Sequence, residues 1–289
     1  MNNAREQFGK TFNPSAILYE RVRPSYPKGL IDDVISLSGM PNKGQILEIG
    51  CGTGKATELF AARGYALDCL DIGKDLASIA AEKFKDLEDI HINISSFENW
   101  DASDNSYDLI ISAASFHWVD PGVRFNKSAA LLCETGALAV FTNKLVKNDE
   151  GFFARVQDVY QTYAPSMERI KNEQRKLWVE PVTGEELFNE PIVRKYPWVE
   201  EYSADDYVAL LGTYSDHLSL PEEERSSLFG RIAELVHDEY AGIVCRHYEA
   251  VLTLRTLRPN FKLEVQHLLI DFIKSLRCNI AVSFSRPCV

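Results

Sequence analysis

The sequence contains no long apolar run, no closely spaced pair of cysteines and no excess of basic residues. No uninterrupted apolar segment approaches the roughly 20 residues that span a bilayer. The polar N-terminus, "MNNAREQFGKTFNPS", also lacks the apolar region of a secretory signal. We therefore expect no membrane partner and a cytoplasmic location.

The cysteines and the net charge argue against further classes of protein and partner. Six cysteines are scattered without CxxC pairs, which favours reduced thiols over a disulfide framework or a zinc site. They are Cys51, Cys69, Cys133, Cys245, Cys278 and Cys288. We predict no structural metal. A net charge of -11 opposes attraction to a phosphate backbone, so a small-molecule partner is favoured over nucleic acid. Nothing in the sequence indicates a homo-oligomer.

Residues 45–143 alternate short apolar runs with helical patterns. The strand candidates are "QILEIG" (45–50), "ALDCLD" (66–71), "DIHINIS" (89–95), "YDLIISAA" (107–114) and "GALAVFTN" (136–143). Between them, "KATELFAARG" and "KDLASIAAEKFKDL" carry apolar residues at helical spacing, and "PGVRFNKSAALLCE" opens with Pro121, as helices often do. The alternation predicts an α/β fold, a mostly parallel sheet with helices on both faces.

The pattern changes after Asn143. "EGFFARVQDVYQTYAPSMERIKN" predicts one helix in an insertion over 145–192, which we place as a helical lid above the ligand-binding edge of the sheet. "IVRKYPWVEEY" and "AGIVCRHYEAVLTLRTL" predict two late strands. If these strands form a hairpin beside "GALAVFTN", the sheet has seven strands. The tail contains "FKLEVQHLLIDFIKSL", which is apolar on one helical face and predicts a packed helix.

Two further helices are predicted between the late strands. Ser203 with Asp206, and Ser219 with Glu222, have the spacing of capping boxes at helix N-termini. The capping boxes therefore predict helices that begin just after Ser203 and Ser219.

Three glycines, Gly50, Gly52 and Gly54, follow the first predicted strand. Glycine is needed where φ is positive or where a ligand leaves no room for a Cβ atom. A dinucleotide motif, G-x-G-x-x-G, would place its third glycine at Lys55, and a phosphate loop would need a glycine at Ile49. The compact spacing therefore disfavours NAD and requires no pyrophosphate.

"LEIGCGTGKAT" resembles the E/D-x-G-x-G-x-G motif of class I S-adenosylmethionine-dependent methyltransferases (methyltransferase type 11 family), with Glu48 in register. The resemblance covers roughly residues 45–143 and implies a Rossmann-like seven-stranded fold. It also implies S-adenosylmethionine as methyl donor and S-adenosylhomocysteine as product. "YERVRPSYP", "YPWVEEYSADDYVALLGTYSDH" and the last strand resemble small-molecule methyltransferases that include the trans-aconitate type.

The resemblance divides the chain into three parts. They are an N-terminal cap (1–44), a methyltransferase domain (45–258) with the insertion 145–192, and a tail of unassigned role (259–289). Two other functions stay open, a non-catalytic module that binds S-adenosylmethionine and a NAD-dependent oxidoreductase.

The resemblance also implies which residues bind the donor. Asp71, at the end of the second strand, would accept hydrogen bonds from the ribose hydroxyls. Ser96 and Phe97 would flank the adenine, and the backbone at Ala113 would face the methionine part. The implied set is Glu48, Gly50, Cys51, Gly52, Gly54, Asp71, Ile72, Ser96, Phe97 and Ala113.

His117 follows the fourth predicted strand and is the candidate general base, because an imidazole titrates near pH 7. A structural histidine that lines the pocket is the alternative. Tyr19 is the second catalytic candidate, and Arg21, Arg23 and Trp118 are the substrate candidates. The two arginines would hold a carboxylate through forked hydrogen bonds, or would pair with the acidic surface.

We expect methyl transfer to a small-molecule acceptor, with O-methylation of a carboxylate as one option. A carboxylate acceptor needs no base, whereas a hydroxyl or an amine does. The sequence leaves this choice open.

Overall fold

The computed structural model describes residues 16–146, 150–176 and 183–259. Its strands are β1 Gln45–Ile49, β2 Ala66–Asp71, β3 Ile90–Ile94, β4 Tyr107–Ala113, β5 Leu132–Leu145, β6 Ile192–Ser203 and β7 Ile243–Thr256. They form one seven-stranded sheet in the order β3-β2-β1-β4-β5-β7-β6. Strands β1 to β5 pair in parallel, while β7 is antiparallel to β5 and to β6. The predicted seven-stranded, mostly parallel sheet with a final hairpin is confirmed.

Ten α-helices lie in the described residues. They are α1 Ala16–Val22, α2 Lys28–Ser38, α3 Thr57–Ala61, α4 Lys74–Phe84, α5 Arg124–Leu131, α6 Gly151–Tyr163, α7 Met167–Lys176, α8 Ala204–Leu211, α9 Ser215–Leu218 and α10 Glu222–Glu239. Short 3-10 helices span Phe116–Trp118 and Glu185–Leu187. No helix of the described ranges is long and apolar enough to cross a membrane.

Strand β1 shows why the sheet is buried on both faces. Ile46 belongs to one hydrophobic cluster and Leu47 to another, because successive side chains of a strand point to opposite faces. Both side chains are fully buried. A third cluster joins α6, α7, α8 and α10, and includes Phe152, Val156 and Ile232. This third cluster supports the helices that cover the functional cavities described below.

The single helix predicted over 150–172 is wrong in one respect, because it is two helices, α6 and α7. The break falls at Ala164, whose φ of −135° and ψ of 56° are not helical. Pro165 follows, and a proline disfavours the helical conformation of the residue before it. Beyond the break, Ser166 donates from its backbone N–H and from its hydroxyl to the Glu224 carboxylate, at 3.1 and 2.7 Å.

Of the predicted helix N-termini, one is confirmed and two are wrong. The cap at Ser203 is confirmed, since its Oγ accepts the backbone N–H of Asp206 at 3.1 Å. The cap at Ser219 is wrong, because Pro221 occupies the N-cap position of α10. Pro121 also does not open its helix, since α5 begins at Arg124. The predicted tail helix lies outside the described residues.

Candidate active site

The loop between β1 and α3 has positive φ at all three glycines of the motif. A Cβ atom on Gly50 would lie 2.5 Å from the Cβ of Ser115, and one on Gly54 would lie 2.4 Å from the Phe84 ring. Both distances are too short for any side chain, so the protein's own packing demands these two glycines. Gly52 instead faces a cavity, and a Cβ atom placed on it would lie 3.8 Å from the Tyr19 ring.

Asp71 ends β2 and ties this loop to the neighbouring strand. Its carboxylate accepts the backbone N–H of Gly52 at 2.7 Å and that of Gly73 at 2.6 Å. Burial raises the pKa of Asp71, while the two backbone donors act in the opposite direction. A carboxylate has about four acceptor positions, so the Asp71 carboxylate can still accept hydrogen bonds from a ligand's hydroxyls.

The first cavity opens at the carboxyl ends of β1, β2 and β4, and its volume is about 280 Å³. Most of the residues predicted from the sequence meet in its wall. They are Tyr19, Arg23, Gly50, Gly52, Asp71, Ile72, Ser96, Phe97, Ala113 and Trp118. The fold therefore gathers one site from a helix of the N-terminal segment and from four separate loops.

Three residues predicted to contact the methyl donor lie behind the wall of the first cavity rather than in it. Glu48 is fully buried in β1 and accepts the Thr57 hydroxyl at 2.6 Å. Burial raises the pKa of Glu48 to about 7. Cys51 is buried beside Cys69, and Gly54 faces α4. These three residues do not line the first cavity, and their side chains or Cβ positions point into the core; their contact with the methyl donor stays a prediction.

Arg21 is also placed elsewhere. Its side chain is 60% exposed and forms a salt bridge with Asp206 at 3.2 Å. It lines neither cavity. Arg21 lies in the last turn of α1 and Arg23 lies just beyond its end, and their side chains have different partners. Of the two arginines, the structure brings only Arg23 to the site.

A second cavity of about 970 Å³ adjoins the first. Arg23, Ala114 and Trp118 line both cavities. Residues of α6 and α7, including Tyr160 and Lys171, form one wall of the second cavity. The predicted insertion thus lies above the carboxyl edge of the sheet and encloses space next to the first cavity.

Arg23 is held at the boundary of the two cavities. Its Nε donates to the Thr213 hydroxyl at 2.7 Å, and its Nη2 donates to the Thr213 carbonyl at 2.6 Å. Its Cζ lies 4.2 Å from the ring centroid of Tyr214 and 4.9 Å from that of Tyr19. These contacts orient the guanidinium and leave further N–H groups available for an anion.

His117 lies in the 3-10 helix after β4, and its ring lines the second cavity. The side chain is open to the cavity, yet the protein around it and the Arg124 charge lower its pKa to about 4. At pH 7 the imidazole is neutral and only weakly basic. The Trp118 ring lies beside it, with centroids 4.9 Å apart.

The second cavity also contains a hydrogen-bonded chain that sequence reasoning missed. Nε2 of the buried His217 lies 2.7 Å from the Tyr160 hydroxyl, and its Nδ1 lies 2.7 Å from the Asp216 carboxylate. Because a carboxylate only accepts, Nδ1 donates to Asp216, and in the neutral imidazole Nε2 then accepts from Tyr160. The segment "TYSDH" contains two members of this chain, but only the fold places Tyr160 opposite them.

Sequence reasoning also missed Arg246. It lies on β7, is 6% exposed and lines the second cavity. Its Cζ is 5.5 to 5.6 Å from the ring centroids of Tyr207, Tyr214 and Tyr248. Among the described residues, its Nε and Nη1 have no hydrogen-bond partner. The sequence feature that could have identified Arg246 is its position in an alternating strand, where it points inward between buried Val244 and Tyr248.

Known proteins resemble this chain in sequence and in fold. Residues 46–136 match the methyltransferase domain family. An uncharacterized methyltransferase-like protein of Schizosaccharomyces pombe is 25% identical over 231 residues, which are 78% of this chain and 86% of that protein. A malonyl-[acyl-carrier protein] O-methyltransferase of Ilyobacter polytropus is 34% identical over 111 residues, 37% of this chain and 41% of that protein.

A solved structure supports the same assignment of fold. It is described as a type II methyltransferase from Anaeromyxobacter dehalogenans, with a TM-score of 0.58 and 20% identity. The alignment covers 82% of this chain and 97% of that chain. The sheet and the glycine loop therefore define a Rossmann-like methyltransferase fold.

The matched domain and the methyltransferase relatives support a class I S-adenosylmethionine-dependent methyltransferase, and with it an enzyme. The family predicted from "LEIGCGTGKAT" is confirmed. The narrower resemblance to the trans-aconitate type stays a prediction. These matches give no support to a NAD-dependent oxidoreductase.

Proposed function

We propose that this protein transfers a methyl group from S-adenosylmethionine in the first cavity to a small-molecule carboxylate in the second. The observation that carries the proposal is the adjacency of the two cavities, which share Arg23, Ala114 and Trp118 as walls. Methyl transfer requires the nucleophile to be held in line with the donor, and two adjoining cavities allow this alignment.

The residues of the first cavity fit the donor. Asp71 offers a carboxylate to hydroxyl groups, and Gly52 leaves the backbone open to a ligand. The buried ring of Phe97 offers an apolar face to a planar base. The donor, when bound, supplies a methyl group already activated by its sulfonium. The protein's own residues then need only bind, align and exclude water.

Two features of the second cavity favour a carboxylate as the acceptor. Arg23 places a guanidinium at the boundary where the methyl group would pass. His117 is a weak base, since its pKa is lowered to about 4. A carboxylate is ionised at pH 7 and needs no base. One relative is named as an O-methyltransferase, which agrees with oxygen as the methylated atom.

The proposal is tested by incubating the enzyme and S-adenosylmethionine with a panel of small organic acids, phenols, alcohols and amines. Release of S-adenosylhomocysteine and a gain of about 14 daltons in an acid, the mass of CH2, identify the acceptor class. Methylation of phenols or amines alone would reject the carboxylate.

Two variants locate the two sites. Asp71→Asn should weaken binding of S-adenosylhomocysteine by about 10- to 100-fold, since a charged acceptor is lost. Arg23→Gln should lower kcat/KM for the acid. Arg255→Gln is the matched control, because Arg255 lines neither cavity. If Asp71→Asn binds S-adenosylhomocysteine like the wild type, the assignment of the first cavity fails.

A second candidate function is methylation of a hydroxyl or an amine. It is favoured by the chain of Tyr160, His217 and Asp216 in the second cavity. The acceptor's proton would pass to the Tyr160 oxygen as the tyrosine proton passes to Nε2 of His217, and Asp216 would stabilise the imidazolium. In this case His217→Asn should reduce kcat by about 10²- to 10⁴-fold, the usual effect of a lost base.

A further inference from the structure

We infer that Arg246 binds a second anionic group of the methyl acceptor, separate from the group that receives the methyl. The inference rests on the proposed function for the identity of the ligand. It assigns the acceptor to molecules with two anionic groups, of which the group at Arg246 is a carboxylate or a phosphate.

The first argument is that the buried guanidinium of Arg246 has no salt-bridge partner among the described residues. Arg246 is 6% exposed, and its Nε and Nη1 make no hydrogen bond with any residue that the structure describes. No acidic side chain within residues 16–146, 150–176 and 183–259 forms a salt bridge with it. Of the acids that line the second cavity, Asp216 bonds to His217 and Glu168 accepts from Asn172. A buried charge without a partner is strongly unfavourable, so an anion from a ligand fits this position.

The surrounding rings do not supply the missing negative charge. Tyr207, Tyr214 and Tyr248 surround the guanidinium within cation–π distance. Burial raises the pKa of Tyr207 to about 12, so its phenol stays neutral at pH 7. The rings stabilise the cation and orient it, but a full neutralisation requires an anionic ligand.

The position of Arg246 separates it from the reacting group. Arg23 lines both cavities, whereas Arg246 lines only the second. Their Cζ atoms lie 4.2 and 5.5 Å from the centroid of the same ring, that of Tyr214. The two cations are therefore no farther apart than the sum of those distances, and they repel each other. An acceptor with one anionic group at each arginine would relieve this repulsion.

The experiment compares small acids that carry different numbers and kinds of anionic groups. Butyrate carries one carboxylate, succinate and glutarate carry two, and 2-phosphoglycolate carries a phosphate and a carboxylate. Each is titrated by calorimetry into the enzyme with and without S-adenosylhomocysteine. We expect the two-anion probes to bind roughly 10- to 100-fold more tightly than butyrate, as a charge-assisted contact predicts. Comparison of the glutarate and phosphoglycolate arms identifies the anion at Arg246.

Arg246→Gln should abolish this preference, and Arg246→Lys should retain part of it because the charge remains. Arg255→Gln is the matched control. Arg255 lies on the same strand, near the Phe125 ring, with Glu185 as its partner. The Arg255→Gln variant should keep the full preference for the two-anion probes. Equal binding of butyrate and the two-anion probes to the wild type, or an unchanged preference in Arg246→Gln, would overturn the inference.

A stability measurement separates a binding role from a structural one. Arg246→Met removes an unpaired buried charge, so the unliganded variant should melt at a higher temperature than the wild type. A lower melting temperature would make Arg246 a structural support and overturn the inference. Failure to bind S-adenosylhomocysteine, or binding of two-anion probes without methylation of any acid, would instead count against the proposed function alone.

Discussion

The hydroxyl of Tyr160 lies 2.7 Å from Nε2 of His217, although the two residues are 57 positions apart in the sequence. Tyr160 belongs to α6, which lies in the wall of the second cavity, and His217 belongs to α9. The bond therefore joins the insertion to the late part of the domain, across the cavity in which we place the acceptor.

Loss of this bond should affect stability more than donor binding. Tyr160→Phe leaves the buried Nε2 of His217 without a partner, which should lower the free energy of unfolding by about 1–3 kcal/mol. Affinity for S-adenosylhomocysteine should not change, because Tyr160 lines only the second cavity. Denaturant unfolding and calorimetry measure the two effects. Tyr163→Phe, on the same helix, is the control, and equal stability of the two variants would contradict the prediction.

Substitution of Gly54 should be more damaging than its φ alone implies. Gly54 and Gly64 have similar φ values, +84° and +79°, but only a Cβ on Gly54 meets a neighbour, the Phe84 ring. Gly64→Ala should cost about 1–2 kcal/mol of backbone strain. Gly54→Ala should cost about 1–3 kcal/mol more from overpacking. Thermal unfolding of both variants tests this, and equal losses would show that the Phe84 ring moves aside freely.

Glu48 should make stability fall as the pH rises. Burial raises its folded pKa to about 7, above the ordinary 4.5 of the free side chain. Between these values the folded protein keeps a proton that the unfolded chain has released, so rising pH favours unfolding. Glu48→Gln does not titrate at this position and should gain stability relative to the wild type, by up to about 3 kcal/mol above pH 7.

Urea unfolding from about pH 5 to about pH 8 measures the difference between Glu48→Gln and the wild type. The difference should grow across this range, and Glu88→Gln, at an exposed position, is the matched control variant. A constant difference for Glu48→Gln would contradict the raised pKa.

His117 should remain neutral throughout the physiological range. Its surroundings and Arg124 lower its pKa to about 4, whereas an ordinary histidine titrates near 6.5. An NMR titration should therefore show no midpoint for His117 between about pH 5 and about pH 8. His117→Asn should change kcat on a carboxylate by less than about threefold, since no base is required. A midpoint near 6.5, or a far larger loss of turnover, would restore His117 as the base.

The parallel sheet and the donor loop could be predicted from local sequence. The apolar runs of β1, β2 and β4 and the spacing of Gly50, Gly52 and Gly54 are properties of neighbouring residues. Asp71 could be placed because it ends a predicted strand. The break at Pro165 was visible in the sequence, but the helical pattern on both sides concealed it.

The second cavity could not be predicted, because its residues come from elements far apart in the chain. Arg23 and Arg21 differ by two positions, and only helix packing decides that Arg23 faces the site and Arg21 faces Asp206. Likewise, the alternation of β7 places Arg246 inward, but only the elements packed around it decide that no described carboxylate pairs with it.

The sequence by itself indicated a methyltransferase and the methyl donor that we propose, because the glycine motif and Asp71 are set by short-range spacing. Only the tertiary structure decided which polar side chains share the adjoining cavity, and so which acceptor we propose. The physical reason is that backbone conformation follows from near neighbours, whereas burial and pairing of a charge follow from residues brought together by folding. Tyr160, His217 and Arg246 meet only in the folded protein.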